Sequence, residues 1–119
     1  MTRSRSILLA ALVALAVALV PPASGAPTPL AGTVGPQFTI SLKKSGTKVT
    51  TLRRGSYRIT VTDRSDQHNF RLRGPGLNKA ITGIVFVGRK AVTVTLRPGR
   101  YTFICDPHFL DMRGSFRVT

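Results

Sequence analysis

Two hydrophobic patterns divide the chain. From Ile7 to Val20 every residue is apolar, a run of 14 preceded by Arg3 and Arg5 and closed by Pro21-Pro22. From residue 37 onward apolar and polar positions instead alternate over short stretches, the period of two that sends successive side chains to opposite faces of a strand. Phe38, Ile40 and Leu42 alternate with Thr39 and Ser41, Lys43-Lys44-Ser45-Gly46 forms a turn, and Thr47 to Leu52 is a second strand-like stretch. After the turn at Arg54-Gly55, Tyr57, Ile59 and Val61 alternate with Arg58, Thr60 and Thr62, which predicts a half-buried strand. Asp63-Arg64-Ser65-Asp66 is polar and predicts a loop.

His68 to Leu72 alternates again and is closed by Gly74-Pro75-Gly76, whereas Leu77 to Gly83 fits either a loop or a short helix. Ile84–Val87 and Ala91–Leu96 predict a hairpin around Gly88-Arg89-Lys90. Beyond the Pro98-Gly99 turn, a strand places Tyr101, Phe103 and Cys105 on one face and Thr102 and Ile104 on the other, and Gly114 to Val118 forms the last strand. Seven to eight short strands, with turn signals about every 8–12 residues, predict an all-β Greek-key β-sandwich. Its domain spans residues 37–119, and residues 26–36, with Pro27, Pro29, Gly32, Gly35 and Pro36, read as a linker or loosely ordered lead-in.

The first apolar run is short against the roughly 20 residues that a bilayer span needs, and small residues Ala23-Ser24-Gly25-Ala26 follow it. Residues 1–25 therefore read as a signal peptide cleaved after Gly25, which predicts an exported protein in the periplasm, on the cell surface or secreted; an uncleaved anchor is the competing reading. Cleavage leaves 94 of the 119 residues, with 16 of the 18 basic residues against four acidic ones, a net charge of +12. Four Asp and no Glu leave little for paired-carboxylate hydrolysis, and we read the chain as a non-enzyme. The charge predicts partners with acidic surfaces, found by salt-sensitive steering, and association with anionic cell-surface polymer or membrane headgroups. Nucleic acid is not expected, because no stacking array or binding motif is present. A monomer is the default for a small exported domain.

A single cysteine cannot form an internal disulfide in an oxidising compartment, so a metal is a good account of its protection. Cys105, His108 and Met112 lie within eight residues, and Pro107 helps turn the chain so that a thiolate and an imidazole face one point. His68 supplies a second imidazole. A His, His, Cys set with a weak axial Met suits one copper ion alternating between Cu(I) and Cu(II). Three other readings compete. Cys105 could be an inert buried thiol; it could be a nucleophile with a histidine base, although no oxyanion stabiliser is apparent; or the site could hold zinc, for which a thioether is an unsuitable fourth donor.

From about Phe38 to Val118 the sequence resembles the small cupredoxins of the plastocyanin, pseudoazurin and amicyanin type. Two segments carry the resemblance: His68-Asn69-Phe70, and Pro98 through Cys105-Asp106-Pro107-His108 to Met112-Arg113-Gly114. It implies His68, Cys105 and His108 as equatorial copper ligands and Met112 as the axial one. It also implies that the Asn69 side chain ties the His68 segment to the backbone after Cys105, at Asp106. The spacing of three residues between His108 and Met112 bears on the Cu–Met distance and the redox potential. The implied function is single-electron shuttling between redox partners, with His108 as the exit. Phe109 and Leu110 either form part of an apolar docking patch or pack inward over the site. A copper carrier or storage protein with no electron partner would use the same ligands.

Overall fold

The computed structural model describes residues 25–119 together with residues 11, 13, 14 and 16, so the signal-peptide reading lies almost wholly outside the described residues. Among them, no helix is long and apolar enough to cross a membrane. The alternating segments form strands β1 (Thr28–Val34), β2 (Ile40–Lys44), β3 (Thr47–Lys48), β4 (Thr51–Leu52), β5 (Gly55–Asp63), β6 (Phe70–Gly74), β7 (Leu77–Thr82), β8 (Gly88–Leu96), β9 (Gly99–Ile104) and β10 (Arg113–Val118). Eight have five or more residues, and β3 and β4 are two-residue ladders. One sheet has the order β3-β2-β1-β5-β8 and the other β4-β10-β9-β6-β7.

The inward phases of both sheets meet in one core, which includes Leu30, Ile59 and Val61 from the first sheet and Leu72, Tyr101 and Phe116 from the second. This is a β-sandwich. Aromatic pairs stiffen it: Phe70 stacks on Phe103 with centroids 5.5 Å apart, and Tyr101 on Phe116 at 5.4 Å. Among the described residues, every strand and every core residue lies between residues 28 and 118.

Four sequence expectations need correction. Residues 28–34 of the expected linker are β1, a central strand parallel to β5 from Thr28↔Tyr57 to Val34↔Asp63 and antiparallel to β2. The two prolines sit where they cost no ladder bond, with Pro27 before the strand and Pro29 short of the β2 pairing. Gly32 is a packing residue, since a Cβ there would lie 3.0 Å from Val61 Cγ2 and 3.1 Å from the Phe70 ring. The Thr47–Leu52 stretch is not one strand: β3 pairs with β2 in the first sheet and β4 runs parallel to β10 in the second. Leu77–Thr82 is neither loop nor helix but a strand, β7, at the edge of its sheet and bulged against β6, which blurs its alternation.

The Ile84–Val87 hairpin does not form. All nine residues of β8 pair with β5 from Gly88↔Asp63 to Leu96↔Gly55, while β7 belongs to the other sheet. Residues 83–87 therefore carry the chain between sheets, without a strand neighbour. These registers bring four connections to one end of the sandwich: residues 35–39, 64–69, 83–87 and 105–112.

Candidate metal centre

At that end, a short 3-10 turn (Asp106–His108) follows β9, with Pro107 in its first turn, where a missing N–H costs nothing. The loop closes on itself through the backbone. The His108 N–H donates to the Cys105 carbonyl at 3.2 Å, the Met112 N–H to the His108 carbonyl at 2.8 Å, and the Cys105 N–H to the Met112 carbonyl at 3.1 Å. The last bond extends the β9–β10 ladder by one pair beyond Ile104↔Arg113. Residues opposite one another in such a pair present their side chains to the same face, so Met112 accompanies Cys105, and both are fully buried. His68 reaches the loop from the segment before β6. Its turn is shaped by the Ser65 N–H donating to Asp63 Oδ1 and the Gln67 N–H donating to Ser65 Oγ, both at 3.1 Å.

The Nδ1 atoms of His68 and His108 are 3.0 Å apart, and Cys105 Sγ lies 3.5 Å from the first and 3.7 Å from the second. The point equidistant from three such atoms is about 2 Å from each, in the range of metal–imidazole and metal–thiolate bonds. The three donors can therefore hold one ion with little movement. His68 and Cys105 are buried and His108 is partly exposed, so the imidazole of His108 is the donor nearest solvent. Asp106 turns its carboxylate away from this cluster.

That carboxylate accepts from Asn69 Nδ2 at 2.9 Å and from Arg71 Nε at 2.8 and 3.0 Å, while Asn69 Oδ1 accepts from the Asp106 N–H at 2.7 Å. Asn69 thus clasps both the backbone and the side chain of the residue after Cys105. Arg71 also donates from Nη1 to Asn78 Oδ1 at 3.0 Å, which anchors the clasp to β7. The hydrogen bond from Arg71 is the main cause holding the Asp106 carboxyl below its ordinary range, helped by Asn69 and opposed by partial burial. A depressed carboxyl stabilises the fold above its unfolded pKa, near 4, and that stabilisation is lost as pH falls through the folded value. Arg71→Gln is expected to reduce this acid sensitivity in the metal-free protein. Urea midpoints at neutral and acidic pH check it: wild type should lose more than the variant, and equal losses would remove Arg71 from this role.

The chain was compared with known proteins. No family model matches it, and no curated protein matches it. Solved structures do match. A rusticyanin with a methionine-to-glutamine substitution superposes with a TM-score of 0.57 at 19% identity, covering 81% of this chain and 80% of that one. Rusticyanin from Thiobacillus ferrooxidans gives 0.51 at 21% identity, covering 81% and 79%. An oxidized amicyanin with a methionine-to-leucine substitution gives 0.51 at 16% identity, covering 82% and 88%. The chain has the cupredoxin fold.

Within this cupredoxin fold the structure brings together His68, Cys105 and His108, places Met112 against Cys105 through the backbone, and joins Asn69 to Asp106. Phe109 and Leu110 do not pack inward; they are 52% and 72% exposed. Sequence reasoning missed one neighbour of the site. Phe38, expected to begin a strand, precedes β2 and is exposed, with its ring centroid 5.5 Å from that of His68 and 5.1 Å from that of His108. Gln37 adopts φ 58°, which takes Phe38 out of the strand's alternation and lays its ring beside both imidazoles. The Gly35-Pro36 dipeptide was the only signal of this break.

Proposed function

We propose that this chain is an exported type 1 copper protein that shuttles single electrons between redox partners, with one copper ion per chain held by His68, Cys105, His108 and Met112. The convergence of two imidazole nitrogens and one thiol sulfur on a point about 2 Å from each carries the reading. Bound copper supplies a one-electron couple. The chain's part is to limit rearrangement between its two states: the Asn69 and Arg71 contacts fix Asp106, and the ladder bond fixes Cys105 against Met112. The buried thiol is kept from water and His108 provides the partly exposed edge through which an electron leaves.

Export is supported by the leader-like run Ile7–Val20 behind two arginines. Docking of a redox partner is supported by the exposed Phe38, Phe109 and Leu110 around His108. Adding one equivalent of Cu(II) to residues 26–119 tests the centre. An intense visible thiolate-to-copper band with small copper hyperfine splitting in electron paramagnetic resonance is expected, and an ordinary pale Cu(II) spectrum would reject the type 1 assignment. Rapid reversible reduction without metal loss separates the shuttle from a copper carrier, which would hand the metal itself to an acceptor. Met112→Leu should keep the colour and raise the reduction potential, because losing a donor disfavours Cu(II) more than Cu(I); an unchanged potential would remove Met112 from the ligand set.

A further inference from the structure

The charge of the domain is polarised along the strands. All four acidic residues lie toward the metal-site end: Asp63 closes β5, Asp66 is in the following loop, and Asp106 and Asp111 are in the ligand loop. Seven cations share that half of the sandwich, Arg64, Arg71, Arg73, Lys79, Arg89, Lys90 and Arg113, and Arg73 lines one groove with Asp106 and Phe109, so the half carries +3. The other nine of the 16 Lys and Arg beyond residue 25 lie toward the opposite half with no acidic residue among them, a charge of +9. The charge that would steer the domain is thus placed away from the copper ligands.

At the far end, Arg53 and Arg54 follow β4, Arg97 follows β8 and Arg100 is the second residue of β9, and all four are exposed. The chain also enters the fold here, because β1 begins at Thr28 opposite Tyr57 near the start of β5. Gly25, Ala26 and Thr28 line the same surface groove as Lys44, Arg53 and Arg54. The described chain therefore enters the domain among its cations. Apolar exposure has the opposite polarity. Within residues 25–119 every large hydrophobic side chain that is exposed belongs to a loop at the site end: Phe38, Ile84, Val85, Val87, Phe109 and Leu110.

We propose that the end opposite the metal centre is a docking face for anionic phospholipid headgroups, which lays the domain on a bilayer with His108 and its apolar surround facing away. Cations drawn from separate turns of both sheets, with no exposed apolar anchor between them, suit a diffuse anionic surface better than a protein interface, which needs a buried core. The inference stands on charge and topology and does not depend on which metal the site holds.

The test is flotation of residues 26–119, which contain every strand and core residue among the described residues, with vesicles of phosphatidylcholine containing roughly one-third phosphatidylglycerol. Binding is expected at low salt, with loss as salt rises and none to pure phosphatidylcholine. Arg53→Glu with Arg54→Glu should weaken binding at least about tenfold, whereas Arg89→Glu with Lys90→Glu, an equal change of net charge at the site end, should change it by less than about twofold. Urea midpoints establish that both variants fold. Equal losses would show that only total charge matters and overturn the assignment, as would a larger loss in the site-end variant or no binding by wild type. Binding to soluble dextran sulfate without binding to the vesicles would also overturn it, in favour of an anionic polymer.

Discussion

Cys105→Ala is expected to abolish the intense visible band of the copper-loaded protein and to lower its copper affinity by at least about a hundredfold, a loss at the upper end of those seen for residues that only support metal ligands. The chain has one cysteine, so no other thiol can supply the charge-transfer band. Its sulfur lies 3.5 and 3.7 Å from two imidazole nitrogens that are themselves 3.0 Å apart, so its removal opens one corner of the donor triangle and leaves only the imidazoles in place. The fold should survive, because the exchange removes one buried sulfur atom from a core of nineteen apolar residues, at a cost of about 1–2 kcal/mol. Absorption and electron paramagnetic resonance on matched samples measure the outcome. A band that persists in Cys105→Ala would refute thiolate ligation, and a variant that cannot fold would make the cysteine a packing residue first.

The His68, Cys105 and His108 cluster, with Met112 paired to Cys105, was legible in the sequence because most of it is local. Cys105, His108 and Met112 share one loop, and only His68 has to be brought from another segment. The central strands were legible for a related reason. β5 and β9 each have one buried face and partners on both sides, so alternation along Tyr57, Ile59, Val61 and along Tyr101, Phe103, Cys105 matches burial residue by residue. β1 was hidden by its own composition. Pro27, Pro29, Gly32 and Gly35 are turn signals when read locally, yet the glycine at 32 answers to Val61 and Phe70, residues that only the folded topology places beside it.

What sequence reading missed has the same origin in the pairing of distant strands. Ile84 to Val87 has the composition of a strand, but the full ladder between β5 and β8 and the assignment of β7 to the other sheet leave it no neighbour. Phe38 left its predicted strand because one residue with positive φ precedes it. The total charge was plain from composition, whereas its concentration in the half remote from the His-Cys-His cluster follows only from strand directions. These misses fall at the connections, where the site and its surround are built.

Gly114→Ala is expected to destabilise the metal-free protein by about 3 kcal/mol, the upper part of the range for overfilling a packed core. In a strand interior alanine is ordinarily better than glycine by roughly 0.5–1 kcal/mol, so the expected sign is reversed here. Gly114 pairs directly with Phe103 across β9 and β10, and a Cβ at 114 would lie 2.2 Å from Cζ of that ring and 2.6 and 2.9 Å from two other ring atoms. The ring cannot withdraw easily, because Phe70 is stacked on it with an interplanar angle of 6° and is itself fully buried. Gly83→Ala supplies the contrast: a Cβ at 83 meets nothing within 4 Å, and that variant should stay within about 0.5 kcal/mol of wild type. Because Phe103 is two residues before Cys105 and Gly114 two after Met112, the strain falls on the ladder that sets these two side by side, and the copper-loaded variant should also show an altered visible spectrum. Urea unfolding of both variants decides the point. Equal midpoints would mean that Phe103 does not lie over Gly114, and the ladder would then hold the site without aromatic support.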